Sequence, residues 1–280
     1  MQNADAPTVK SFGHEWGRYS QSESDLSEAD RAAQFNSYFG VFPWDTLPPS
    51  ATGVDFGCGS GRWAMLAAPR VHRLFAIDPA PEAITVARHN LAHLPNVTAL
   101  VAEAKAMPFE DGSLDFAYCL GVLHHIPNTP AALRAIIAKL KPGAPLLLYL
   151  YYNFDNRPAW YRAVWHVSNL GRKVISRLPF LAQRIVTAMI ATLVYWPVAR
   201  VGRLLDRIGL MPGAWPLSYY RDKGCYVMLT DAHDRFCTPL EKRFSRAEVA
   251  DMMAAANLVD IRFSERAPYW VAVGRVRGAT

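Results

Sequence analysis

The chain has 280 residues, 51% hydrophobic, 12% aromatic and 19% charged, with four cysteines and a formal net charge of +6. That length buries a substantial core without disulfides or metals, and the high hydrophobic and aromatic content, with charge below the roughly 25% of an average soluble domain, excludes intrinsic disorder. Cys58, Cys119, Cys225 and Cys237 have neither CxxC nor zinc-ligand spacing, which argues against a disulfide framework, a zinc ribbon or an iron–sulfur site. They are expected as packed, free thiols in a reducing cytoplasm, and Met1 to Lys10 lacks the basic-then-apolar pattern of a signal peptide.

Residues 1–50 read as an aromatic leader, with Phe12, Trp16, Tyr19, Phe35, Tyr38, Phe39, Phe42 and Trp44 ahead of Pro48-Pro49. Periodic elements begin at Thr52, and a short apolar run to Phe56 predicts a strand, followed by a Gly-rich turn and a helix from Arg62 to Ala68. A second strand, Arg73 to Ile77, ends in Asp78-Pro79, and a helix from Pro81 to His93 starts with proline where its missing N–H costs little. Strands are predicted at Val97 to Ala102, Leu114 to Leu120 and Ala144 to Tyr151, with a helix from Pro130 to Leu140 stopped by Lys141-Pro142-Gly143. Near-continuous apolar strands alternating with helices imply a parallel sheet covered on both faces.

The alternation stops from 153 to 241. It resumes at Ser245, whose spacing to Glu248 is that of a capping box, with a helix to Ala256 and Asn257 as a left-handed stop. Val259 to Phe263 and Tyr269 to Val276 then predict an antiparallel hairpin at the sheet edge. The expected fold is α/β, a Rossmann-like seven-stranded, mostly parallel sheet from 51–152 and 242–280, with 153–241 as an α-helical cap insert.

Val54-Asp55-Phe56-Gly57-Cys58-Gly59-Ser60-Gly61 joins the first strand to the first helix. Glycines there allow a tight turn and let a ligand approach backbone N–H groups. Asp55 discriminates between ligands, because a carboxylate two positions before the first glycine repels a dinucleotide pyrophosphate and suits a cation. S-adenosyl-L-methionine, with its ammonium and sulfonium, is such a cation. Asp78, twenty-one residues after Gly57, stands where an acid accepts hydrogen bonds from ribose hydroxyls.

These residues resemble the class I S-adenosylmethionine-dependent methyltransferases, the small-molecule type 11 group in particular. The resemblance also rests on Ala102-Glu103-Ala104-Lys105-Ala106-Met107-Pro108-Phe109, Asp115-Phe116-Ala117-Tyr118, Gly121-Val122-Leu123-His124-His125-Ile126 and Leu140-Lys141-Pro142-Gly143. It implies methyl transfer, with Asp55, Gly57, Cys58, Gly59, Asp78 and Pro79 around the cofactor. It also places Glu103 and the Ala104 backbone at the adenine edge and Leu120 and Gly121 as the floor near the methyl donor. Glu103 departs from the aspartate usual in the family. A leader like Phe12-Gly13-His14-Glu15-Trp16 folds over the cofactor in some relatives, which makes Trp16 and Tyr19 candidate cofactor or substrate contacts.

An acceptor that must lose a proton needs a base, for which His124, His125 and His233 are candidates. His124-His125 also suits a structural cap, and Asp231-Ala232-His233-Asp234-Arg235 a solvated turn. Tyr219 and Tyr220 form a second polar–aromatic cluster and are further candidate contacts.

Nine bases and two acids between Asp155 and Met211 give that segment +7 and leave the remainder at −1. Within it, the charge-free run Ile185 to Ala199 has fifteen residues, shorter than the roughly 18 to 20 that cross a bilayer. At helical spacing Ile185, Val186, Met189, Ile190, Leu193 and Val194 share one face, opposite Thr187, Ala188, Ala191 and Thr192. A buried cap helix and peripheral contact of 155–211 with the inner membrane face both fit this pattern. The segment is too apolar for a phosphate-tracking groove, and an Asn-Pro-Pro-Tyr type motif is missing after the fourth strand, so no nucleic-acid partner is expected. The reading is methyl transfer to a small-molecule or lipid-like acceptor. A non-catalytic module that binds a membrane or partner, and an NAD-dependent oxidoreductase, are the alternatives.

Overall fold

The computed structural model describes residues 5–9, 13, 28–212 and 215–278; Trp16 and Tyr19 lie outside them. Contacts divide the chain into two compact units, a core unit that includes 28–153 and 240–278 and a second unit of 154–239.

In the core unit, helix α1 (Glu28–Phe39) and the following turn bury Phe35, Phe39 and Phe42, the ordered end of the aromatic leader. Strands β1 (Thr52–Phe56), β2 (Arg73–Asp78), β3 (Val97–Val101), β4 (Phe116–Leu120) and β5 (Pro145–Tyr149) alternate with helices α2 (Arg62–Ala67), α3 (Pro81–Asn90) and α4 (Thr129–Ala138). Every residue of β4 is buried, as expected of a central parallel strand whose two faces are both covered. One face packs around Val54, Ile77, Leu133 and Leu146, the other around Phe39, Trp63, Leu74 and Tyr118.

The sheet order is β3-β2-β1-β4-β5-β7-β6, the last two being Val271–Val276 and Leu258–Phe263. Only β7 runs antiparallel to its neighbours; it pairs with β5 on one side and β6 on the other. The hairpin lies at the sheet edge as expected, with its second strand inside the sheet and its first at the margin. Ser245 caps the last helix of the chain, whose first residue is Arg246, and exchanges both capping-box bonds with Glu248. Asn257 takes the left-handed conformation, φ 70°. From β1 the chain winds one way through β2 and β3 and, from β4, the other way through β5. The β1/β4 junction is thus the topological switch point, where open α/β sheets hold ligands beyond their strand carboxyl ends.

The second unit is helical: α5 (Ala159–Ile175), α6 (Phe180–Ile190), a π-helical turn (Ala191–Tyr195), α7 (Trp196–Arg207) and α8 (Cys225–Cys237). Helices α5 and α6 pack on α8 around Ile175, Ala191, Met228, Ala232 and Phe236. Three expectations change here. Asp231 to Arg235 is not a turn; it lies inside α8, because Met228, Ala232 and Phe236 supply a helical apolar face around it. Cys225 is exposed rather than packed, since it starts that helix, whereas Cys237 is buried.

The largest change concerns Phe180–Arg207, which runs as one helix of 28 residues, long and apolar enough by composition to cross a membrane. Pro197 does not break it. Proline lacks an N–H and crowds the preceding turn, and the wider π turn just before it provides the slack. The face turned inward is the one with small residues. Thr187, Ala191, Tyr195, Ala199 and Gly202 are buried, whereas Ile185, Met189, Leu193 and Val194 are exposed.

Candidate cofactor site

The turn after β1 is built by positive φ angles at Gly57 (75°), Gly59 (53°) and Gly61 (83°), a conformation that costs other residues about 1–2 kcal/mol. The turn is also tied to β2: the N–H groups of Gly57 and Cys58 donate to the Ile77 carbonyl at 2.7 and 3.0 Å. Asp78 completes the tie, one carboxylate oxygen accepting from the Gly59 N–H at 3.0 Å and the other from the Ala80 N–H at 2.9 Å. Pro79 follows, half-buried, at the start of the next helix.

Asp55 lies within β1, 1% exposed, and its Oδ2 has no hydrogen-bond partner among the described residues. Burial drives its carboxyl well above the usual carboxylate range. The nearby Tyr118 hydroxyl pulls the other way, and Asp78 adds to the rise. Tyr118 is the residue directly opposite Asp55 in the β1–β4 register. Sequence reading gave it no role, although a hydroxyl in the otherwise apolar run Phe116 to Leu120 was a usable signal. Burial also raises the Cys58 thiol, reinforced by the charges of Asp55 and Asp78, so Cys58 stays protonated and packs.

The remaining cofactor candidates stand on neighbouring strand ends. Glu103 is half-buried and Ala104 buried in the loop after β3, where the Ala102 N–H donates to the Asp78 carbonyl at 3.1 Å. Leu120 ends β4, 8% exposed, and Gly121 follows at φ 81°, its N–H donating to the Tyr149 carbonyl at 3.1 Å. The four strand ends β1 to β4 thus bring together Asp55, Gly57, Cys58, Gly59, Asp78, Pro79, Glu103, Ala104, Leu120 and Gly121. The fit to a cationic nucleoside rests on the chemistry of this set. Two buried carboxylates, one with an orphaned oxygen, suit an ammonium and ribose hydroxyls and repel a pyrophosphate.

The two histidines after β4 occupy a short 3₁₀ turn, Leu123–His125. His124 is fully buried, neither ring nitrogen has a hydrogen-bond partner among the described residues, and its ring stacks on Tyr151 at 3.8 Å. Burial lowers its pKa well below the usual histidine value, helped by His125 and Arg243, so it is neutral. The Nδ1 of His125 lies 2.6 Å from the Leu240 carbonyl, an acceptor that fixes the proton on Nδ1. Lys242 latches the same turn, its backbone N–H donating to the His124 carbonyl at 3.0 Å and its ammonium to the Ile126 carbonyl at 3.0 Å. No local sequence signal announced this latch.

His233, Tyr219 and Tyr220 belong to the second unit. His233 is buried in α8, its Nδ1 3.4 Å from both Thr187 Oγ1 and Cys237 Sγ, and burial lowers its pKa. Tyr220 donates to Asp231 at 2.9 Å within that unit, while Tyr219 is 51% exposed.

Asp78 also predicts a pH dependence. Burial raises its pKa from 3.8 to about 6, against the two backbone N–H donors. A raised folded-state pKa means that the charged form costs the empty fold on the order of 3 kcal/mol above pH 6, the cost vanishing as pH falls toward 4. Ribose hydroxyls donating to the carboxylate favour the charged form, so ligand binding in acid must expel that proton. S-adenosylhomocysteine affinity, measured calorimetrically, is expected to drop about fivefold from pH 6 to pH 5 and to approach about tenfold per pH unit below that. A flat profile over that interval would remove Asp78 from the contact.

A doubly wound sheet with an acidic glycine turn at its switch point is the arrangement that the resemblance to class I S-adenosylmethionine-dependent methyltransferases implies. Residues 54–148, about a third of the chain, match the family model described as a methyltransferase domain. Over 102 residues the chain is 37% identical to a ubiquinone biosynthesis O-methyltransferase of Xanthomonas campestris pv. campestris, covering 36% of this chain and 43% of the relative. The counterpart from Xanthomonas axonopodis pv. citri is 37% identical over 103 residues, with the same coverage. The chain thus spans less than half the length of these curated relatives. Among solved structures, the CurJ carbon methyltransferase aligns with 98% of this chain and 62% of its own at a TM-score of 0.53 and 14% identity, a likeness of fold.

Proposed function

We propose that this chain transfers the methyl group of S-adenosylmethionine to a small, lipid-like acceptor and leaves S-adenosylhomocysteine. The observation that carries the reading is the pair of buried carboxylates, Asp55 with its orphaned Oδ2 and Asp78, at the glycine turn of the switch point. Asp55 takes the ammonium, Asp78 the ribose hydroxyls, Glu103 and the Ala104 backbone the adenine edge, and Leu120 with Gly121 the apolar floor. The bound cofactor supplies a methyl group already activated by a sulfonium. The protein's task is then to hold donor and acceptor in line and keep water away. The similarity to the Xanthomonas ubiquinone biosynthesis O-methyltransferases supports an acceptor of lipid-like chemistry, and the four free thiols among the described residues suit a reducing cytoplasm.

Proton removal from the acceptor falls to His125, whose Nδ1 proton is fixed by Leu240 and whose Nε2 is therefore the basic atom. Replacing His125 by alanine is expected to lower kcat about a hundredfold while S-adenosylhomocysteine affinity stays within twofold. An unchanged kcat would leave His125 as a tie between the β4 turn and Leu240. The overall test is incubation with methyl-labelled S-adenosylmethionine and an extract of the source cell, followed by partition. Label is expected in the organic phase, and its loss in an Asp78→Asn variant shows that the label depends on this site. Label confined to the aqueous phase would remove the lipid-like acceptor. Tight S-adenosylhomocysteine binding with no labelled product at all would make the chain a non-catalytic module.

A further inference from the structure

Among the described residues, eighteen large hydrophobic side chains are exposed, and seventeen of them lie between Trp160 and Tyr219. Single exposed apolar residues are ordinary on a soluble protein; contiguous rows of them mark a contact surface. The clearest row runs along the 28-residue helix Phe180–Arg207 and just past it, where Leu181, Ile185, Met189, Leu193, Leu204 and Ile208 are each more than half exposed. The residues that seat this helix on α8, Thr187, Ala191 and Tyr195, fall between them at offsets of two, on the opposite side. The π turn maintains this division. Steps of four residues drift about 40° per step around a regular helix, and five residues of wider winding take back that drift. Both rows therefore stay on their own sides along the helix.

We infer that this outward face of 180–208 docks on the surface of an anionic lipid bilayer. Charge complementarity selects the occupant: the segment from Asp155 to Met211 carries +7, while the rest of the chain is at −1. Two copies of so positive a segment repel one another, which disfavours a homodimer through this face, whereas anionic headgroups attract each exposed base near the surface by about 1 kcal/mol; Arg172, buried and bonded to the Thr238 and Pro239 carbonyls, takes no part. Trp196, 46% exposed at the middle of the row, has the amphipathic ring that settles at the headgroup level. The helix lies on the bilayer and does not cross it, because its inward side is held by α8, which carries Asp231, Asp234 and Arg235. This surface is independent of the methyl transfer proposed above.

The test is cosedimentation of the full-length protein with vesicles of phosphatidylcholine alone or with 30% phosphatidylglycerol, in roughly 0.1 M salt, where surface charge is felt over about 10 Å. The double variant Ile185→Ser/Leu193→Ser removes apolar surface from exposed positions. A second double variant, Leu204→Ser/Ile208→Ser, guards against a local folding effect, and S-adenosylhomocysteine binding reports that the core unit is intact. We expect at least tenfold stronger partitioning onto the phosphatidylglycerol vesicles, a tenfold or greater loss in each variant, and release by high salt. Equal partitioning of the wild type onto both vesicle types, or of both variants and the wild type, would overturn the proposal. So would resistance to alkaline carbonate extraction, the mark of a spanning helix. A wild-type dimer that ignores vesicles and dissociates in the variants would overturn it in favour of a second copy.

Discussion

Alanine at position 78 is expected to weaken S-adenosylhomocysteine binding by a hundredfold or more, measured by calorimetry at pH 7.5. The size follows from two losses. A hydrogen bond to a charged group contributes about 1.5–3 kcal/mol, so the ribose contact alone accounts for tenfold to a hundredfold. The second loss falls on the protein, because the Asp78 carboxylate also holds the Gly59 and Ala80 N–H groups at 3.0 and 2.9 Å. Alanine leaves those donors unpaired in a buried place and lets the glycine turn relax away from its binding geometry. Asparagine separates the two contributions: its side-chain oxygen still accepts one of the N–H bonds, while the charge is gone. Asp78→Asn should therefore melt close to the wild type and bind about tenfold to thirtyfold more weakly, whereas Asp78→Ala should lose both stability and affinity. Wild-type affinity in the alanine variant would remove the ribose assignment.

Gly57→Ala should be the most disruptive single-methyl change in the core unit. Gly57 sits at φ 75°, and a Cβ built on it lies 2.3 Å from a methyl carbon of Val122. The backbone strain costs about 1–2 kcal/mol and the overpacking about 1–3 kcal/mol. Together they correspond to a melting temperature lower by on the order of 10 °C for a chain of this size. Val122 starts the loop that carries His124 and His125, so relief of the clash also pushes that turn away from the switch point. The double variant Gly57→Ala/Val122→Ala should recover the steric share and keep the strain. Calorimetric melts of the three proteins separate the shares, and an unaltered melt in the single variant would contradict the close approach of the β1 turn to Val122.

Much of the site was legible because its signals are local. Glycines at 57, 59 and 61 mark a turn wherever they stand after an apolar strand, and an acid two residues before the first and another at the end of the next strand mark a cationic ligand. The strands of the core unit and the Ser245–Glu248 capping box were also local, each set by periodicity or by residues three apart. Tyr118 was missed because its meaning comes from standing opposite Asp55 across two strands separated by some sixty residues of chain.

The sequence by itself determined where the strands and most helices lie, the acidic character of the glycine turn, and the concentration of positive charge in one segment. Only the tertiary structure decided that β7 enters between β5 and β6, since strand order is settled by long-range hydrogen bonding that no local period encodes. It also decided that Leu240 orients His125 across 115 residues of chain. And it decided which side of the helix Phe180–Arg207 faces inward. Apolar spacing there grouped Ile185, Val186, Met189, Ile190, Leu193 and Val194 on one face but left open whether that face is buried in the cap or turned to a membrane. The structure packs Thr187, Ala191 and Tyr195 against α8, with Val186 and Ile190 partly buried at the same cluster, and leaves Ile185, Met189, Leu193 and Val194 outside.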